Sequence, residues 1–71
     1  MEISFDPQAD IMYISIKRGK FSKTMKLGNE TMLDYDHTSG ILGLELIDVS
    51  NRMHAEDIFH IDIRMMPRAA D

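Results

Sequence analysis

The chain has 71 residues, of which 44% are hydrophobic and 28% charged, and a formal net charge of −4. That length leaves room for one core and excludes a second domain, and a lone core of this size rarely supplies more than about 3 to 5 kcal/mol without a staple. The absence of cysteine removes disulfides, thiolate metal sites and thiol chemistry. No apolar run approaches the roughly 18 residues of a membrane span and no signal-peptide pattern opens the chain, so a cytoplasmic protein that gains stability by self-association is expected.

Met1, Ile3 and Phe5 alternate with Glu2, Ser4 and Asp6, the two-residue period of a half-buried strand. The segment Asp6-Pro7-Gln8-Ala9-Asp10 then predicts a reversal, because proline fixes its own φ and aspartates bond nearby backbone N–H groups. A second strand over residues 11–17 carries Met12, Ile14 and Ile16 on one face and Ile11 and Tyr13 on the other, which places it in the interior of a sheet. Arg18-Gly19-Lys20 signals a tight turn into a third strand over residues 21–27.

Gly28-Asn29 signals a two-residue hairpin into a fourth strand over residues 31–36. His37-Thr38-Ser39-Gly40 reverses the chain again into a fifth strand over residues 41–49. A four-residue connection sets Leu33 against Leu44, Asp34 against Gly43 and Tyr35 against Leu42, and a bulge at Gly40 shifts this by one. The fifth strand is nearly continuous in apolar residues, Ile41-Leu42-Gly43-Leu44-Glu45-Leu46-Ile47, and such strands are covered on both sides. Ser50 is a candidate N-cap for a short helix through residues 51–57. Phe59, Ile61, Ile63 and Met65 then alternate with His60, Asp62 and Arg64, which predicts a sixth strand, before a terminus from Met66 onward that is expected to fray. The fold class expected is mainly β, or α+β if the short C-terminal helix forms, as one small antiparallel meander of five to six strands.

The run Met32-Leu33-Asp34-Tyr35-Asp36, the turn after it, and residues 41–50 resemble a widespread family of small prokaryotic proteins catalogued as domain of unknown function number 2283. The opening Ile3-Ser4-Phe5-Asp6-Pro7-Gln8-Ala9-Asp10-Ile11-Met12-Tyr13-Ile14 is similar to that family's start. The likeness covers about residues 1–52, with a divergent tail over residues 53–71. It implies the fold and leaves activity open.

Asp34, Asp36, His37 and Glu45 are the residues a divalent cation would use, since carboxylates two apart on a strand share a face; the competing role for turn-flanking aspartates is to bond backbone N–H groups. His37, His54 and His60 lack any paired zinc-ligand spacing, and no phosphate loop or nucleophile motif occurs, so no cofactor and no catalytic residue are assigned. Lys17, Arg18, Lys20, Lys23 and Lys26 are five of the eight basic residues with no acid among them. They read as a solvated basic hairpin that guards an edge, or as a patch for an anionic partner. Met12 and Met25 fall on the apolar phase of their strands, whereas Met32, Met65 and Met66 are candidates for contact with a partner. Three functions follow in decreasing order: a non-enzymatic module that forms a homodimer or higher homo-oligomer, a nucleic-acid-associated regulator using the basic residues with Tyr13 or Phe21 as a stacking surface, and a metal- or carboxylate-dependent enzyme.

Overall fold

The structure, a computed structural model, describes residues 1–21 and 23–67. Five strands, β1 (Glu2–Asp6), β2 (Ile11–Ser15), β3 (Lys23–Lys26), β4 (Thr31–Asp36) and β5 (Gly40–Ile47), precede two single-turn helices, α1 (Val49–Arg52) and α2 (Ala55–Ile58). All strand pairs are antiparallel, so the mainly β class is the one observed. Ser22 of the expected third strand, and residues 68–71 of the expected terminus, lie outside the described residues.

The strand order is β1-β2-β5-β4-β3, not the sequential order of a meander. Strand β2 is interior, as its two-sided apolar character requires, but its second neighbour is β5, with Met12 opposite Leu46 and Ile14 opposite Leu44. Arg18-Gly19-Lys20 is therefore no hairpin turn. The chain leaves β2, where the Ile16 and Lys17 N–H groups donate to the Leu42 carbonyl, and passes the β4–β5 end of the sheet to reach the far edge. The reason is burial: pairing β2 with the apolar β5 joins the two segments with most to bury, whereas every residue of β3 is exposed.

Between β4 and β5, Leu33 faces Leu44 and Asp34 faces Gly43 as expected, but Tyr35 faces Ile41 and Asp36 faces Gly40, with a register shift between Asp34 and Tyr35. Gly40 has a φ of 89°, a left-handed conformation that costs glycine little, and it closes a tighter reversal that slips the pairing by one. The β3–β4 connection, by contrast, is longer by one residue than a two-residue hairpin: the Leu27 N–H donates to the Thr31 carbonyl across Gly28, Asn29 and Glu30.

Ser50 is not the cap of α1. Asp48 holds that position in a left-handed conformation without a side-chain cap bond. The orphan N–H of Ser50 donates instead to the Asp10 carboxylate at 3.0 and 3.2 Å, and the Ser50 hydroxyl donates to Asp10 Oδ2 at 2.7 Å. A residue 40 positions away thus satisfies the helix terminus, and the β1–β2 turn is fastened to the end of β5. The start of that turn follows expectation, with Asp6 Oδ1 accepting the N–H groups of Gln8 and Ala9.

The helices lie against one sheet face at the end where Met12 and Leu46 meet. Met12, Val49 and Ile58 are buried there, with Ile3, Phe5, Ile14, Leu46 and Met53 packed around them. Val49 alone among the described residues is a large side chain with no exposure, and Leu42 completes a set of four buried apolar residues. Met12 is core as expected, but Met25 is 40% exposed, because β3 lies at the edge beyond the reach of the helices. Residues 60–67 form no sixth strand; their alternating pattern finds no neighbouring strand among the described residues.

Candidate functional site

The open sheet face carries a polar line that crosses four strands. Tyr13 on β2 lies over β5, and its hydroxyl donates to Asp34 Oδ2 on β4 at 2.8 Å; Thr24 on β3 donates to Asp34 Oδ1 at 2.9 Å. The phenol spans β5 only because position 43 has no side chain: a Cβ there would stand 2.4 Å from Tyr13 Oη and 2.7 Å from its Cζ. The Asp34 carboxylate holds the Tyr13 phenol above its usual range, chiefly by accepting its hydrogen bond, with burial and then the charges of Asp34 and Glu45 adding to the effect. A phenol shifted this way stays neutral at ordinary pH, which suits a cross-strand tie and does not suit a general base.

Asp36 forms a second centre at the sheet end. It is buried, and accepts from the Thr38 N–H and the Ser39 hydroxyl at 2.9 and 2.8 Å and from the Lys20 N–H at 2.9 Å. The first two bonds hold the β4–β5 turn and the third clamps the crossing connection onto it. Hydrogen bonds from Thr38, Ser39 and Lys20 lower the Asp36 pKa against the opposing effect of burial. Gly19 fits this clamp by close approach, since a Cβ would stand 2.5 Å from Leu42 Cδ2 and 2.9 Å from Asp36 Oδ2.

The four acid-and-histidine candidates are therefore not one constellation. Asp34 belongs to the cross-strand line and Asp36 to the clamp, Glu45 stands opposite both Tyr13 and Met32, and the His37 ring meets Tyr35 edge-on with centroids 6.0 Å apart. Among the described residues no three His, Cys, Asp or Glu side chains group as metal ligands.

The basic residues divide in the same way. Lys17, Arg18 and Lys20 sit on the crossing connection, where the Lys17 ammonium donates to the Ser39 carbonyl. Lys23 and Lys26, three apart on β3, point to opposite sheet faces. Phe21 is exposed beside them, whereas Tyr13 is half-buried and its hydroxyl is tied to Asp34.

Two features carry no internal explanation. The outer side of β1 is a free sheet edge. Residues 59–67 are exposed, with Ile61, Ile63, Met65 and Met66 at 57%, 78%, 97% and 82% exposure. The sequence signal for this second feature is the alternation itself, which predicts a strand. Among the described residues no helix is long and apolar enough to cross a membrane.

The family described as Protein of unknown function (DUF2283) matches residues 2–50, about two-thirds of the chain and all five strands. No curated protein and no solved structure matches. The chain belongs to the DUF2283 family.

Proposed function

We propose that this member of the DUF2283 family is a non-enzymatic interaction module that works as a homo-oligomer. One observation carries the reading: apolar surface is distributed the wrong way for a lone subunit. Four apolar side chains are buried among the described residues, while eleven large ones are exposed. Fully burying one such side chain contributes roughly 1.5 to 3 kcal/mol, so leaving this many in water forgoes more than a domain of this size has to spare. A second copy is the partner always present at the concentration of the first. Light scattering behind a sizing column tests it: a mass of two or more chains at micromolar concentration is expected, and a clean monomer overturns the proposal.

A second reading is favoured by Phe21, an exposed ring that falls in sequence between Lys20 and Lys23, within the stretch 17–26 that holds all four lysines of the chain. Such a ring beside cations is a stacking platform for single-stranded nucleic acid. The net charge of −4 works against it. Binding to single-stranded RNA that weakens steeply between low and physiological salt supports this reading, and no shift at low salt removes it.

A further inference from the structure

We infer that the segment 60–65 adds as a sixth strand to the β1 edge of a second copy, an inference that rests on the self-association proposed above. Three observations converge on this pairing. The segment has the strand alternation but no strand partner among the described residues. The molecule is also elongated: the radius of gyration is 14.4 Å and the principal extents are 46 × 32 × 21 Å, against about 11 Å for the radius of a compact chain of this length. The third observation is the match between segment and edge.

In an antiparallel pair, residues directly opposite each other share a sheet face. Setting Ser4 against Asp62 places Ile3 opposite Ile63, Phe5 opposite Ile61, Glu2 opposite Arg64 and Asp6 opposite His60. Apolar residues then meet apolar residues on the face the helices cover, and on the other Glu2 meets Arg64 while no two like charges stand directly opposite. The two neighbouring registers that keep the same faces fail: one sets Glu2 against Asp62, the other Asp6 against Asp62, and like charges directly opposite are destabilising. Pro67, which has no N–H to donate, falls past the end of β1 in the favoured register. Arg64 already pairs with Asp62 at 2.8 Å, and in the pairing it lies between Asp62 and Glu2.

The chain's own β1 is not the occupant, because Phe59 meets Phe5 of the same chain edge-on with ring centroids 6.0 Å apart. A strand folding back from that contact enters the register that opposes Glu2 to Asp62. The other free edge, β3, is four residues long, exposed throughout and guarded by Lys23 and Lys26. Reciprocal exchange of two such arms gives a closed two-fold dimer with no edge left at β1.

The lack of cysteine gives a clean test. Chains carrying Ser4→Cys and chains carrying Asp62→Cys, one of them tagged, are mixed and oxidised, and a disulfide between the two different chains is expected. A cross-link that forms within one chain carrying both cysteines, independent of dilution, overturns the inference, as does a preferred link from Asp62→Cys to Lys26→Cys. Light scattering separates the two levels of the argument: ending the chain after Phe59 is expected to convert the oligomer to monomer with the circular dichroism of the sheet retained. An oligomer that survives this truncation overturns the arm while self-association stands, and a full chain that is monomeric overturns self-association itself. In the full chain Arg64→Glu is expected to raise the dissociation constant about ten-fold, as two symmetric pairs turn repulsive, and Glu2→Arg in the same chain to recover most of that loss. No recovery overturns the register.

Discussion

Strand β1 and the segment 59–65 are written in the same way. Ile3 and Phe5 alternate with Glu2, Ser4 and Asp6 in one, and Ile61 and Ile63 alternate with His60, Asp62 and Arg64 in the other. Yet β1 pairs with β2 over five residues, and its apolar side lies beside Met12, Val49 and Ile58, while the later segment stays exposed. The difference lies in what each can reach. A four-residue turn held by Asp6 delivers β1 to β2, whereas α2 leaves the later segment beyond the helices with no strand to meet among the described residues. Alternation specifies which face of a strand wants burial; only the neighbourhood supplies the cover.

The comparison sharpens if damage to the paired region costs stability and damage to the unpaired one does not. The largest effect is expected from Val49→Ala, which opens a cavity at the most buried side chain and costs roughly 3 kcal/mol, seen as a fall in Tm on the order of 10 °C. Gly43→Ala follows, at about 2 kcal/mol, because the new Cβ meets the Tyr13 ring and the Ile14 carbonyl; denaturant midpoints measure it. Asp10→Ala, which removes the acceptor for the Ser50 N–H, is expected to cost about 1 kcal/mol by the same measurement. Ending the chain after Phe59 should change the stability of dilute monomer by less than about 0.5 kcal/mol, and a larger loss in this last case would mean that the tail serves the sheet of its own chain.

A pH titration separates Asp36 from the tail as well. Its pKa is lower in the folded chain than in the unfolded one, so its contribution is complete above about pH 4 and is lost as pH falls from there through the depressed value. Asp36→Asn is expected to lower Tm at pH 7 and to flatten the acid limb of the Tm profile, so that the two proteins converge at low pH. A constant difference across the range would mean that the charge on Asp36 plays no part in the clamp.

What the sequence disclosed was local. The span of β4 is the predicted one, β1 differs by a residue, and the family resemblance is confirmed over residues 2–50. What it withheld depends on groups distant along the chain. The β2–β5 pairing joins Tyr13 to the level of Glu45, and no turn signal between them announces it. Asp34 read as a turn residue because its partner Tyr13 is visible only once β5 is placed between them; the available clue was a glycine inside an otherwise apolar strand. The cap on α1 comes from Asp10, so Ser50 looked like the capping residue when it is the residue being capped. Asp36 fulfilled the turn role expected of it, and the bond from Lys20 was added by the crossing connection.

That crossing connection also dictates how the molecule assembles. Strands β1 and β2 make one local hairpin, and β3, β4 and β5 make a second local unit, each closed by short turns. The native sheet exists only when these two pieces dock along β2 and β5, and the Asp10–Ser50 bonds lock at the same moment because they bridge the same gap. Closing that long loop is the slow, entropically demanding event, so refolding should be limited by a single docking step to which β3 contributes little.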